Sequence, residues 1–300
     1  MSQALIAALV KLQGNEKLTP FSAFTALQRH ALDELARKTG ALRIKTEGRG
    51  NAYQVVNAEL LATHLRAMRP QQAESLDPAL PQRAANIAQT RSSKVGAHGH
   101  ALHYLLVKAI SVGAVWKANI GDSVRVLDLH ATTEVAGAGV LALADSDTWQ
   151  SDQPLWLVEN QALFDRLDWM PPDSCGTVAY YGGQLPRRLL NWLSERRRAS
   201  EVILFPDYDG VGLLNFARLL EASKGACSFW LMPGWQSLLP VYGSNQVWQN
   251  THADFLAAFP RLKAAGASIH VMDLCAALSS QGLALEHESV WLQRPNVSPP

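Results

Sequence analysis

Between Pro154 and Met232, short apolar runs alternate with amphipathic stretches. "PLWLVEN", "GTVAYYGG", "EVILF" and "CSFWLM" are brief apolar segments, most of them flanked by Gly, Pro or Asn, a pattern that predicts buried strands. Between them, "QALFDRL", "LPRRLLNWLSERRR" and "GVGLLNFARLLEAS" repeat apolar positions at helical spacing. Strands alternating with helices predict an α/β fold whose parallel sheet is joined by crossovers.

The N-terminal part reads differently. Residues 2–12 set Leu5, Ile6, Leu9 and Leu12 on one helical stripe. Thr19 and Pro20 form a start signal for a second helix. A third stripe of Leu27, Ala31, Leu32 and Leu35 stops at Gly40. "ALRIKTEGRGNAYQVVN" then alternates, turns across residues 48–51 and returns through Tyr53 and Val55, which predicts a hairpin. Three helices followed by a hairpin is the order of a winged helix, expected over residues 1–70. Residues 70–82 hold three prolines and read as a linker, so 71–150 is expected to be linker and connecting region. Within it "ALHYLLVKAI" reads as helix and "SVRVLDLHAT" as strand. The α/β domain is expected over 151–292, and the polar, Pro-rich "QRPNVSPP" of 293–300 as a disordered tail.

A length of 300 residues fits two domains of about 150 each. With 48% hydrophobic and 18% charged residues, the chain is not of the disordered class. The net charge of +1 excludes a polycation, so any nucleic-acid contact must be local. Residues 1–70 carry ten Lys and Arg against five Asp and Glu, a formal +5, leaving seventeen against twenty-one, or −4, for the rest. Within that basic head, Arg37, Lys38, Arg43, Lys45 and Arg49 fall at the end of the third helix and in the hairpin, suited to neutralising phosphates. Arg91 and Lys94 lie in a polar stretch able to follow a DNA backbone. Cys175, Cys227 and Cys275 are far apart, which argues against a disulfide framework or thiolate zinc site. His98, His100 and His103 lack a cysteine or carboxylate at zinc-ligand spacing. No apolar run approaches about 18 residues, so a cytoplasmic protein without membrane contact is expected.

The chemistry concentrates in "EVILFPDYDGVG". Residues i and i+2 of an extended chain share a face, so Asp207 and Asp209 aim at one point. Glu159 ends an earlier strand, and open parallel sheets collect reactive groups at strand carboxyl ends. Three carboxylates gathered there need protons or a hard cation such as Mg²⁺. An EF-hand is excluded, because Val211 and Arg218 occupy the fifth and twelfth positions, where ligands are required.

Glu at one strand end, Gly182–Gly183 at the next and DxDG at a third resemble the Toprim domain of topoisomerases, primases and related nucleases. "LVENQALF", "VAYYGGQLP" and "ILFPDYDGVGLLNFARL" are most similar to the branch containing the topoisomerase VI A subunit and the JetD nuclease subunit of Wadjet plasmid-defence systems. In that branch a winged helix precedes the Toprim domain. "LALEHESVWL" resembles the acidic Leu-Glu-Gln-Glu segment of the JetD group, with His287 in the place of Gln. The resemblance implies a DNA endonuclease dependent on Mg²⁺ or Mn²⁺, with Glu159, Asp207 and Asp209 as catalytic metal ligands. Glu286 and Glu288 would be further metal carboxylates. The implied partners are double-stranded DNA, the subunits of an SMC-like ATPase complex and a second copy of the chain. Topoisomerases of this branch cleave with a winged-helix tyrosine. The nearest candidate, Tyr53, sits in the returning hairpin strand, where an aromatic packs, which favours hydrolysis. A tyrosine-dependent cleaver and a catalytically inactive winged-helix module are the alternatives.

Overall fold

The computed structural model describes residues 3–13, 18–48, 50–69, 76–94, 100 and 102–292. The chain divides into two compact units, Met1–His100 and Ala101–Pro300. The expected tail at 293–300 lies outside the described residues.

The first unit runs α1 (Gln3–Leu12), β1 (Thr19–Pro20), a 3₁₀ turn (Phe21–Ala23), α2 (Ala26–Thr39), β2 (Leu42–Glu47), β3 (Gly50–Val55), α3 (Ala58–Met68) and α4 (Gln82–Thr90). Its antiparallel sheet has the order β1-β3-β2. The helix expected to start at Thr19 is instead a strand, with Thr19 and Pro20 opposite Tyr53 and Ala52. Proline suits a sheet edge because it has no N–H to donate. The true cap is Thr25, whose hydroxyl accepts from the Gln28 N–H while Gln28 Oε1 accepts from the Thr25 N–H. That reciprocal box satisfies two otherwise orphaned donors, a stronger start signal than Thr-Pro. The hairpin forms as expected, with Ile44 opposite Tyr53. Leu9, Leu12, Leu32, Leu35, Leu61 and Leu65 pack around Tyr53.

The second unit is mixed α/β. It contains β4 (His103–Ala109), β5 (Val115–Ile120), β6 (Ser123–Asp128), α5 (Leu129–Ala136), β7 (Gly139–Leu143), β8 (Leu155–Val158), α6 (Gln161–Asp165) and β9 (Thr177–Tyr180). α7 (Arg187–Glu195), β10 (Glu201–Phe205), α8 (Gly210–Ala222), β11 (Ala226–Phe229), α9 (Trp235–Tyr242), α10 (Asn245–Ala264) and α11 (Ile269–Gln281) follow. Six strands form one sheet in the order β11-β10-β8-β9-β4-β7. The four strands read from the sequence are parallel. β4 pairs antiparallel with β9 and β7 pairs antiparallel with β4, so β4 alone runs against the other five strands and the sheet is mixed rather than wholly parallel. "ALHYLLVKAI" is therefore β4 and not a helix. Leu105, Val107 and Ala109 face inward while Tyr104 and Leu106 stay exposed, a period of two hidden within an almost continuous apolar run. The expected connecting region thus supplies two sheet strands and the β5–β6 hairpin to this unit. Among the described residues, no helix is long and apolar enough to cross a membrane.

The chain leaving β10 is anchored by Tyr208, whose side chain is fully buried. Its N–H donates to the Leu285 carbonyl at 2.8 Å, and the Leu285 N–H donates back at 3.0 Å. Its hydroxyl donates to the Trp230 carbonyl at 3.1 Å and accepts from the Met232 N–H at 2.5 Å. Immediately afterwards α8 begins under a tight constraint. A Cβ on Gly210 would lie 1.9 Å from the Thr251 carbonyl oxygen of α10, and one on Gly212 2.0 Å from the Asp207 carbonyl oxygen. Both neighbours are backbone and cannot swing aside. Gly210→Ala and Gly212→Ala are each expected to lower stability by at least about 2 kcal/mol. Chemical denaturation measures this, and wild-type midpoints for both would refute the close approach.

Candidate metal centre

Val158 of β8 pairs with Phe205 of β10, so Glu159 and the Asp207 segment leave adjacent parallel strands at one sheet edge. Neighbouring strands lie about 4.8 Å apart, which brings these carboxylates within strong mutual repulsion. With Tyr208 turned into the core, Asp207 and Asp209 are left together on the opposite side. Asp209 is buried and caps α8, its Oδ1 accepting from the Gly212 N–H at 2.8 Å. Glu159 is partly buried and accepts a hydrogen bond from the Tyr181 hydroxyl at 3.2 Å. Asp207 Oδ1 accepts from the His287 backbone N–H at 2.9 Å and lies 2.8 Å from His287 Nδ1. The distance suits an ion pair, but the ring N–H is not aligned for a hydrogen bond. Glu288 Oε1 accepts a short hydrogen bond from Asn160 Nδ2, and its Oε2 stands 3.8 Å from His287 Nε2.

The electrostatics divide the carboxylates. Burial pushes Glu159 up to about 7, helped by the Asp207 charge and opposed by His287. Burial likewise pushes Asp209 up to about 6, against the Gly212 N–H and with the Asp207 charge. Asp207 moves the other way. Burial acts to raise it, but His287 outweighs burial and holds it below the usual carboxylate range. His287 is raised in turn, burial being overcome by Asp207 and Glu288. Burial and the Glu159 charge keep the Tyr181 phenol protonated.

Of the residues expected from the sequence, Asp207 and Glu288 share one cluster, Glu159 and Asp209 lie close enough for the Asp207 charge to raise both, and the Glu286 side chain is exposed. Among the described residues, the group whose ligand atoms lie within 4.8 Å of one another is Asp207, His287 and Glu288; of the expected metal carboxylates, Glu159, Asp209 and Glu286 are not in it. Sequence reasoning missed the parts played by His287, Tyr181 and Asn160. The signal for His287 was its place between Glu286 and Glu288, and for Asn160 its place directly after Glu159.

In the first unit, Arg37, Lys38, Arg43 and Lys45 are exposed. Arg37 Nε donates to the Asp33 carbonyl at 3.3 Å, and Lys38 stands 3.7 Å from Glu34. Arg49 lies outside the described residues, as does His98. Arg91 caps α4 in the left-handed region at φ 58°, and Lys94 is exposed beyond it. Tyr53 is fully buried, stacked on Phe21 at 4.5 Å, and its hydroxyl donates to Asp33 Oδ1 at 2.7 Å. Neither any protein-family model nor any curated protein matches this chain.

The raised Glu159 and Asp209 values set a sign for stability against pH. Between their ordinary values and about 7, the folded protein retains protons that the unfolded chain has released, so stability falls as pH rises. His287, also raised, acts in the same direction, while the Asp207 contribution is constant above its unfolded value. In EDTA, the melting temperature is expected to decline from pH 5 to 8, at no more than about 1.4 kcal/mol per pH unit for each titrating group. Glu159→Gln should flatten the decline. A level wild-type profile in differential scanning fluorimetry would contradict the coupling.

Proposed function

We infer that this chain is a divalent-metal-dependent DNA endonuclease of Toprim type, carrying an N-terminal winged helix and hydrolysing phosphodiesters of double-stranded DNA. The observation that carries the reading is the convergence of Glu159, Asp207 and Asp209 at the ends of two adjacent parallel strands, with Glu288 delivered beside them. Such a concentration of buried negative charge is unfavourable by itself, and the oxygen donors fit a hard divalent cation. Mg²⁺ or Mn²⁺ held by Asp207, Asp209, Glu159 and Glu288 would polarise the scissile phosphate and stabilise the leaving oxygen.

The protein groups have separable tasks. Asp207, kept ionised by His287, and Asp209, oriented by the Gly212 N–H, present their carboxylates at the sheet edge. Glu159, raised towards neutrality and oriented by Tyr181, is suited to accept the proton of an attacking water. The burial and hydrogen bonding of Tyr53 favour this hydrolytic route over a tyrosyl–DNA intermediate. The order α1, β1, α2, β2, β3 with a β1-β3-β2 sheet supports the winged-helix reading. The exposed Arg37, Lys38, Arg43 and Lys45 support a phosphate-facing role. Action with SMC-like ATPase subunits, as a homodimer in defence against plasmids, follows from the motif resemblance.

Supercoiled plasmid incubated with Mn²⁺ or Mg²⁺ is expected to become nicked or linear, EDTA should block this, and Asp207→Ala should slow it at least about 100-fold. Equal conversion by both proteins would refute the assignment. For DNA binding, replacing both Arg43 and Lys45 with Ala is expected to reduce the slope of log affinity against log salt by about 0.9 for each phosphate no longer neutralised. An unchanged slope in fluorescence anisotropy would remove the hairpin from the DNA interface.

A further inference from the structure

His287 adds something that a purely carboxylate centre lacks. Its side chain is 1% exposed, and among the described residues neither ring nitrogen has a hydrogen-bond partner. Buried polar atoms left in that state call for a reason. Here the misfit is angular. Nδ1 lies 2.8 Å from Asp207 Oδ1, well within reach, yet the N–H direction passes that oxygen by. The oxygen already accepts the His287 backbone N–H at 2.9 Å. Nε2, at 3.8 Å from Glu288 Oε2, is beyond hydrogen-bond distance.

Donor atoms placed side by side rather than head-on are arranged like neighbouring ligands of one ion. With metal–ligand bonds of about 2.1 Å, adjacent corners of an octahedron are about 3 Å apart. One ligand atom from each of Asp207, His287 and Glu288 lies within 4.8 Å of the others. The surroundings fix all three. The imidazole rests against Phe205 at 5.4 Å between ring centroids, Asn160 restrains Glu288, and the backbone bond restrains Asp207.

The geometry points to a mixed oxygen–nitrogen metal site at Asp207, His287 and Glu288, selective for a first-row transition ion such as Mn²⁺ over Mg²⁺. This rests on the metal-dependent reading above and sharpens it. Mg²⁺ takes oxygen ligands and keeps its waters, whereas an imidazole nitrogen suits the transition ions.

The test is titration of Mn²⁺ into the metal-free full-length chain, followed by electron paramagnetic resonance. Pulsed detection of nitrogen-14 coupling is added, with Mg²⁺ as competitor. Bound Mn²⁺ is expected to show an imidazole nitrogen and to persist in about 100-fold excess Mg²⁺. His287→Gln should lose the coupling and weaken Mn²⁺ binding at least about tenfold. Mn²⁺ bound without nitrogen coupling, or bound equally by His287→Gln, would make the ring only a charge partner of Asp207. The present inference would then fall while a carboxylate metal site stands. Absence of binding by either ion to the wild type would overturn both. Should the Gln variant not fold, the wild-type coupling alone decides.

Discussion

Two main-chain hydrogen bonds between Tyr208 and Leu285 hold the centre together. They tie the loop after β10 to a segment nearly eighty residues further along the chain. The antiparallel pairing of 208 with 285 brings position 286 opposite Asp207, and the chain turns there into a 3₁₀ segment, His287–Leu292, whose first N–H donates to Asp207. The buried tyrosine makes slippage expensive, since its hydroxyl is also held by Trp230 and Met232. The three helices from Trp235 to Gln281 carry the chain from β11 to that pairing.

The carboxylates at this edge are in different electrostatic states, and the difference arises from their partners. Asp207 faces the His287 imidazole at ion-pair distance and accepts a backbone N–H, which together hold it below the usual carboxylate range. For Glu159, burial and the Asp207 charge outweigh the His287 charge and the single hydrogen bond from the Tyr181 phenol, so it is raised. A carboxyl near neutrality beside a firmly ionised one is how acid–base chemistry is divided between groups of the same type. Burial and His287 thus place in different protonation states acids that the sequence presents as equivalent.

The crossover region was legible because its strands are short, apolar and flanked by turn formers, and its helices carry clear stripes. Glu159, Asp207 and Asp209 were legible for a related reason, as polar residues ending apolar strands stand out. What failed shares a different cause. β4 exposes Tyr104 and Leu106 on one face, so its period of two vanishes into an apolar run that also fits a helix. Thr19 and Pro20 mimic a helix start because their strand pairing with Tyr53 and Ala52 is non-local. His287 was hidden similarly. Its neighbourhood is set by the 208–285 pairing, and no local spacing encodes a contact across that separation.

Asp209 shows how closely fold and proposed chemistry are joined. One of its oxygens closes the first turn of α8, where the helix dipole favours a negative charge, yet burial and Asp207 favour a proton. Those opposed demands are reconciled by geometry, because Gly212 lets the helix start come close enough for its N–H to reach the carboxylate. Gly210 does the same on the other side, bringing α8 onto α10 at Thr251 and donating its N–H to the Thr251 hydroxyl at 3.2 Å. The glycines of "DYDGVG" are therefore conditions for the aspartates rather than a turn that happens to follow them. A side chain at either position would move the helix start, and with it the one carboxylate whose orientation is fixed by a helix rather than by the 208–285 pairing.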